Sequence, residues 1–101
     1  MSSPKQREVK TGDLTHTICD FAKKGDILEK HAHPKEADVH TVLFQRGLFT
    51  FQEWRDEGLV ETDHDADADE GYFIVVAAGV PHAVIARSDK ARSVHTKIYV
   101  K

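Results

Sequence analysis

The feature that most constrains this chain is an alternation of apolar and polar residues with a period of two, repeated in short runs along its length. In Ser93–Val100 (SVHTKIYV), Val94, Thr96, Ile98 and Val100 alternate with Ser93, His95, Lys97 and Tyr99. Successive side chains of a strand point to opposite faces, so this pattern predicts a half-buried strand. Similar runs occur at Leu14–Phe21, Ile27–His33, Val39–Arg46, Leu48–Trp54, Tyr72–Ala77 and Ala83–Arg87. Turn-forming residues separate them: Gly12-Asp13, Lys24-Gly25-Asp26, Gly47 in a tight hairpin, Gly58, Gly71 and Gly79-Val80-Pro81. Short strands with turns at this spacing predict an all-β sandwich or barrel. The stretch Phe51–Leu59 (FQEWRDEGL) has fair helical propensity but is too short to change the class.

Length and charge limit what such a chain can do. With 101 residues it is sized for one domain with one core and one small site. The polar start, residues 1–10, is set apart as a flexible segment or swapped strand, ahead of a barrel domain at residues 11–101. A net charge of -3 supplies no basic field, so neither nucleic acid nor an anionic membrane is an expected partner. No apolar run approaches the roughly 20 residues needed to span a bilayer, and Met1–Lys10 lacks a signal-peptide core; a cytoplasmic protein is expected. The lone Cys19 excludes a disulfide framework and a thiolate zinc cluster.

Much of the acidity lies in Glu61–Glu70 (ETDHDADADE). Asp65-x-Asp67-x-Asp69 lacks the later Gly and Glu of a helix-loop-helix calcium loop, so this stretch reads as a solvated acidic loop or a charged edge strand.

Histidine is the anomaly in the composition: seven, against one Cys, one Met and one Trp. Imidazole is the commonest metal ligand and titrates near neutrality. His31 and His33 are two apart on one β-reading run, so both project from the same face. His40 shares its parity with Val42 and Phe44, which are expected inside a barrel. His82 follows a Gly-Val-Pro turn, and Pro81 fixes φ immediately before it.

These residues fall into two spaced motifs. Gly25-x5-His31-x-His33, followed by His40 and Gly47, resembles the first cupin motif, G(X)5HXH(X)3-4E(X)6G. Gly71-x5-Ala77-x-Gly79-x2-His82 resembles the second, G(X)5PXG(X)2H(X)3N, with Ala77 in place of its Pro and Ala86 in place of its Asn. The resemblance covers Gly25 to Ala86 and implies a single-domain cupin-type jelly roll, a double-stranded β-helix. It also implies a metal centre on His31, His33, His40 and His82. Counting back from Gly47 puts His40 at the usual Glu position. Counting forward from His33 selects Asp38 instead, and the two share strand parity, so Asp38 stands as the alternative ligand.

Such a donor set suits Fe(II), Mn(II), Ni(II), Zn(II) or Cu(II) without choosing among them. The resemblance further implies a metal-dependent enzyme, a dioxygenase-like oxidoreductase, an isomerase or a lyase, acting on a small anionic or enolisable molecule. Glu29 is a candidate general base, on the ground that it shares parity with His31 and His33, and its competing and favoured reading is a surface or rim carboxylate. The alternative is a non-catalytic small-molecule or carbohydrate-binding or sensing module with a structural metal or none. His16 and His95 read as ordinary strand residues with a lesser claim to support the ligands, and His64 as part of the acidic stretch. A homodimer is expected, formed by Leu14–Phe21 or the C-terminal run pairing across a two-fold axis.

Overall fold

A computed structural model describes residues 2–31, 37–69, 72–76 and 79–99, with the side chains of 37–39, 69, 72, 98 and 99 outside that description. The chain order is β1 (Lys5–Thr11), β2 (Leu14–Phe21), β3 (Ile27–His31), β4 (Ala37–Arg46), β5 (Leu48–Arg55), β6 (Gly58–Asp65), α1 (Ala66–Asp69), β7 (Tyr72–Val76), β8 (His82–Ala86) and β9 (Ala91–Tyr99). The strands form two antiparallel sheets, one in the order β1-β2-β9-β4-β7 and the other β3-β8-β5-β6. The all-β class expected from the alternation is what the chain adopts.

Among the described residues, seven of the nine strands lie where the alternation places them. The others show what the pattern misses. β1 (KQREVKT) has a single large apolar residue and is exposed throughout; backbone pairing with β2, Lys5 opposite Asp20 through Thr11 opposite Leu14, holds it in place. The division of the chain at residue 10 thus falls inside a paired strand. β6 is the charged edge strand anticipated for the acidic stretch, and it pairs with β5 alone. The hairpin that joins β5 to β6 turns on Asp56-Glu57, so Phe51–Leu59 is strand and turn rather than helix.

Gly47 requires a correction. β4 and β5 belong to different sheets, so Gly47 is no hairpin residue but the corner at which the chain crosses from one sheet to the other. Its φ is +93°, and a Cβ there would stand 2.7 Å from the Ala91 Cβ. Its amide donates to Asp67 Oδ1 at 2.9 Å, and its carbonyl accepts from the Ala66 amide at 3.0 Å. The acidic stretch therefore braces this corner. Asp65 caps α1 by accepting from the amides of Asp67 and Ala68 at 3.1 and 3.0 Å.

A second correction concerns the edges. β2 and β9 each pair on both sides, so Leu14–Phe21 and the C-terminal run have no open edge to offer a second copy. The edge strands are β1 and β7 in one sheet and β3 and β6 in the other.

The core lies between the sheets, on Phe21, Phe44, Phe49, Phe51, Val42 and Val84. Phe44 and Phe21 approach Phe49 at centroid separations of 4.9 and 5.4 Å, the second edge-to-face. His64 stacks on Phe44 at 4.7 Å, so it packs against the core rather than remaining in a solvated loop.

Candidate functional site

The inner positions of five strands change character toward the same end of the barrel. Along β4 they run Phe44, Val42, His40; along β8, Ala86, Val84, His82; along β5, Phe49, Phe51, Glu53. Along β9 they run Ala91, Ser93, His95, Lys97, and along β2, Phe21, Cys19, Thr17, Thr15. Cross-strand register keeps like with like: His40 lies opposite Lys97, and His82 opposite both His31 and Glu53. One half of the interior is a closed apolar core and the other half a polar chamber.

Imidazoles converge in the polar half. His40 and His82 are buried, and their centroids are 5.2 Å apart; His31 stands 4.4 Å from His82. His95, also buried, lies 5.9 Å from His40 and shares a 2.9 Å hydrogen bond with Ser93 Oγ. Phe51 packs under His82 at 5.8 Å and joins the cluster to the core.

Two of these rings have their tautomer fixed by the backbone. His31 Nδ1 lies 2.8 Å from the Glu29 carbonyl, and His82 Nδ1 lies 2.9 Å from the Val80 carbonyl. A carbonyl only accepts, so each Nδ1 carries the proton and, in the neutral ring, Nε2 carries the lone pair. Burial holds His82 below the ordinary imidazole range, against the Val80 carbonyl, which favours the protonated ring; His31 and, more weakly, Lys97 add to the lowering. A neutral imidazole with an oriented Nε2 is the form in which histidine coordinates a cation, so the chemistry of these donors fits a transition metal. Among the described residues, no three His, Cys, Asp or Glu side chains stand in an arrangement that would hold a metal ion. His33 lies outside the described residues, as does the side chain of Asp38.

Two irregularities decide where the remaining candidates fall. The β3–β8 register shifts between Leu28 and His31, so both Leu28 and His31 align with interior residues, Val84 and His82, although they are three apart. That shift breaks the alternation on which Glu29 was placed beside His31. Glu29 is exposed, at the wall of a cavity of about 420 Å³ that also borders His31, His95 and Cys19. The β4–β9 register likewise shifts between Ala37 and Val39, so strand parity does not carry from His40 back to Asp38.

The structure adds Glu53 and Lys97, which the sequence reading passed over, and brings His95, read there as an ordinary strand residue with a lesser claim, into the interior. Glu53 faces inward opposite His82, with its side chain 13% exposed and its carboxylate 3.1 Å from Arg55 Nη2. The signal was available, since Glu53 continues the parity of Phe49 and Phe51. His95 and Lys97 are interior because β9 turns its polar alternate inward, with Ser93 and His95 buried and Val94 and Thr96 on the outer face.

No family model matches the sequence, and no curated protein matches it. Solved structures do resemble the fold. A conserved protein of unknown function from Streptococcus pyogenes aligns with all of this chain and 78% of its own, at a TM-score of 0.73 and 22% identity. Bacillus subtilis oxalate decarboxylase, as an S161A mutant, aligns with 98% of this chain at a TM-score of 0.76 and 19% identity. An oxalate oxidase aligns with 97% at 0.76 and 15%. This chain spans 26% of the decarboxylase and 52% of the oxidase. Among the described residues, no helix is long and apolar enough to cross a membrane. The two facing sheets, the order of their strands and these likenesses together identify the architecture: the chain has the cupin-type jelly-roll fold.

Proposed function

We propose that the polar half of the barrel holds a divalent transition metal, with His31, His33, His40 and His82 as its ligands, and that the protein acts on a small molecule entering through the adjacent cavity. The observation that carries this reading is the convergence of His31, His40 and His82, two of them with Nδ1 committed to a backbone carbonyl and Nε2 left as the donor. His33 completes the set, and Asp38 is the alternative to His40. Fe, Mn, Ni, Zn or Cu would each suit these donors. A bound metal would act as a Lewis acid that polarises a substrate oxygen. The chain's own residues exclude water on the Phe51 side, hold the imidazoles in one tautomer and set the size of the ligand. The reaction class in keeping with the site is that of a dioxygenase, isomerase or lyase.

Metal analysis of tag-free protein tests the proposal. Near-stoichiometric transition metal in the wild type, lost in His31→Ala and His82→Ala, is the expected result; metal-free protein that fails to take up Fe(II), Mn(II), Ni(II), Cu(II) or Zn(II) would overturn it. The placement of Glu29 favours a second reading, a non-catalytic small-molecule or carbohydrate-binding module. Glu29 stands exposed at the cavity wall, in the manner of a rim carboxylate and not of a base buried against the imidazoles. Ligand binding without turnover by the reconstituted protein would select that reading.

A homodimer is proposed on the β7 side of the larger sheet, where Phe73 and Val75 are 56% and 67% exposed on an edge strand. A monomer mass by light scattering at micromolar concentration would contradict it. A cytoplasmic location is proposed on the sequence alone.

A further inference from the structure

Lys97 occupies an unusual place for a lysine. It is half-buried on an inner-facing position of β9, opposite His40 on one side and Thr15 on the other. Residues directly opposite across strands have Cβ atoms about 4.5–5.5 Å apart, so the Lys97 side chain starts beside His40, and it borders the same cavity as His31 and His95. Lysine is seldom drawn inward without a counter-charge. Among the described residues Lys97 makes no ion pair, whereas the cations of Arg46, Arg55, Arg87 and Arg92 all do. Glu8, which faces the same chamber, is separated from β9 by the intervening β2 and pairs in register with Thr17, not with Lys97's row. Glu29 and Lys30 border the cavity at His31 as well; Glu29 is exposed and forms no ion pair with Lys97 among the described residues, and Lys30 is engaged with the Trp54 ring at 4.4 Å, while Lys10 borders a second cavity.

The space around Lys97 is open. The cavity of about 420 Å³ that borders His31 and a second of about 610 Å³ share three wall residues, Gln6, Thr17 and Lys97. Lys97 thus stands where the two spaces meet, flanked by an amide and a hydroxyl, with the histidines at the inner end.

From this arrangement we propose that Lys97 is the anion-recognition residue of the site: the ligand is a small carboxylate whose anionic end is held by Lys97, with Thr17 and Gln6 donating hydrogen bonds, while its other end reaches His31 and His95, the imidazoles at the cavity wall. The inference rests on the reading of this chamber as a ligand site. It does not depend on a metal being present.

The test titrates chelator-treated protein with malonate and with malonamide, which have nearly the same size and differ in charge, by calorimetry and by amide chemical shifts. Malonate is expected to bind and to shift Thr17 and Lys97, and malonamide to bind at least about tenfold more weakly. Lys97→Met is expected to weaken malonate by at least about tenfold, Lys97→Arg to retain most of the affinity, and Lys23→Met, an equal charge change on the exposed surface, to leave it unaltered. Equal binding of malonate and malonamide, an unaffected Lys97→Met variant with an unchanged fold, or no malonate binding at millimolar concentration would each overturn the proposal. The metal reading is judged separately, by the metal content of His31→Ala and His82→Ala, so one can fail while the other stands.

Discussion

Gly47→Ala offers a sharp test of how this barrel turns its corner. Two costs add. A Cβ at φ +93° sits in a region that side chains rarely adopt, which costs about 1–2 kcal/mol. The same Cβ would lie 2.7 Å from Ala91 Cβ, 2.8 Å from Ser88 Oγ and 3.0 Å from Ala91 Cα. Ala91 is fully buried on β9 and has no rotamer with which to give way, so the backbone must shift, at about 1–3 kcal/mol. Together the two amount to about 2–5 kcal/mol, a large part of the roughly 5–15 kcal/mol that stabilises a domain of this kind. Urea denaturation is expected to show a lower midpoint, and the melting temperature to fall by about 10 °C or more. A mutant cycle with Ala91→Gly separates the Ala91 Cβ overlap from the rest, since it removes that atom and leaves the positive φ and the approaches to Ser88 Oγ and Ala91 Cα; the coupling should recover up to about 1–3 kcal/mol. Gly47→Ala within about 0.5 kcal/mol of the wild type would refute the account. A cycle with no coupling would show that the Ala91 Cβ overlap does not constrain the corner.

Three further outcomes follow from the packing. Phe44→Ala, which removes a fully buried ring in contact with Phe49 and Phe51, should cost about 3–5 kcal/mol by chemical denaturation. Asp65→Ala, which removes the acceptor of two α1 amides, should cost about 0.5–2 kcal/mol. Burial pushes the Cys19 thiol up to about 11, against a hydrogen bond from Ser93 that favours the thiolate. The neutral thiol is therefore the form the native state prefers. Its stabilising contribution is complete below the ordinary thiol pKa and is lost as pH rises through about 11, so the urea midpoint should fall over that alkaline window and fall less in Cys19→Ser. A native thiol that reacts with a disulfide reagent as fast as the unfolded one would contradict its burial.

Most of the strand layout was legible because a half-buried strand writes its two faces into alternate residues, as Leu48–Trp54 does with Phe49 and Phe51. β1 was not, because strand pairing rather than burial holds it and its residues have no apolar face to display. The histidine cluster was legible by parity in the case of His40, whose companions Val42 and Phe44 are buried with it. Parity is no guide across the register shifts between Leu28 and His31 and between Ala37 and Val39, where Glu29 and Asp38 fall and which leave no mark in composition. It misled at His95 and Lys97 for a different reason. The usual expectation sends Val94 and Thr96 inward, but at the polar end of this interior the inward face is Ser93, His95 and Lys97. Gly47 was recognised as a turn residue, but no local signal tells a hairpin from a crossing between sheets.

The passage from phenylalanine to histidine and lysine along each inner strand has a consequence for how this chain tolerates change. The residues that resist unfolding and those proposed to meet a ligand occupy the same strands, yet only a few positions are shared between the two tasks. Random substitution should therefore sort into two nearly independent sets. Changes at Phe21, Phe44 or Phe49 should lower the midpoint of unfolding and leave the binding constant of surviving molecules alone, whereas changes at Thr17, His95 or Lys97 should alter what is bound with little effect on the midpoint. A scaffold partitioned in this way can exchange one small ligand for another by single steps, none of which needs to pass through an unfolded ancestor.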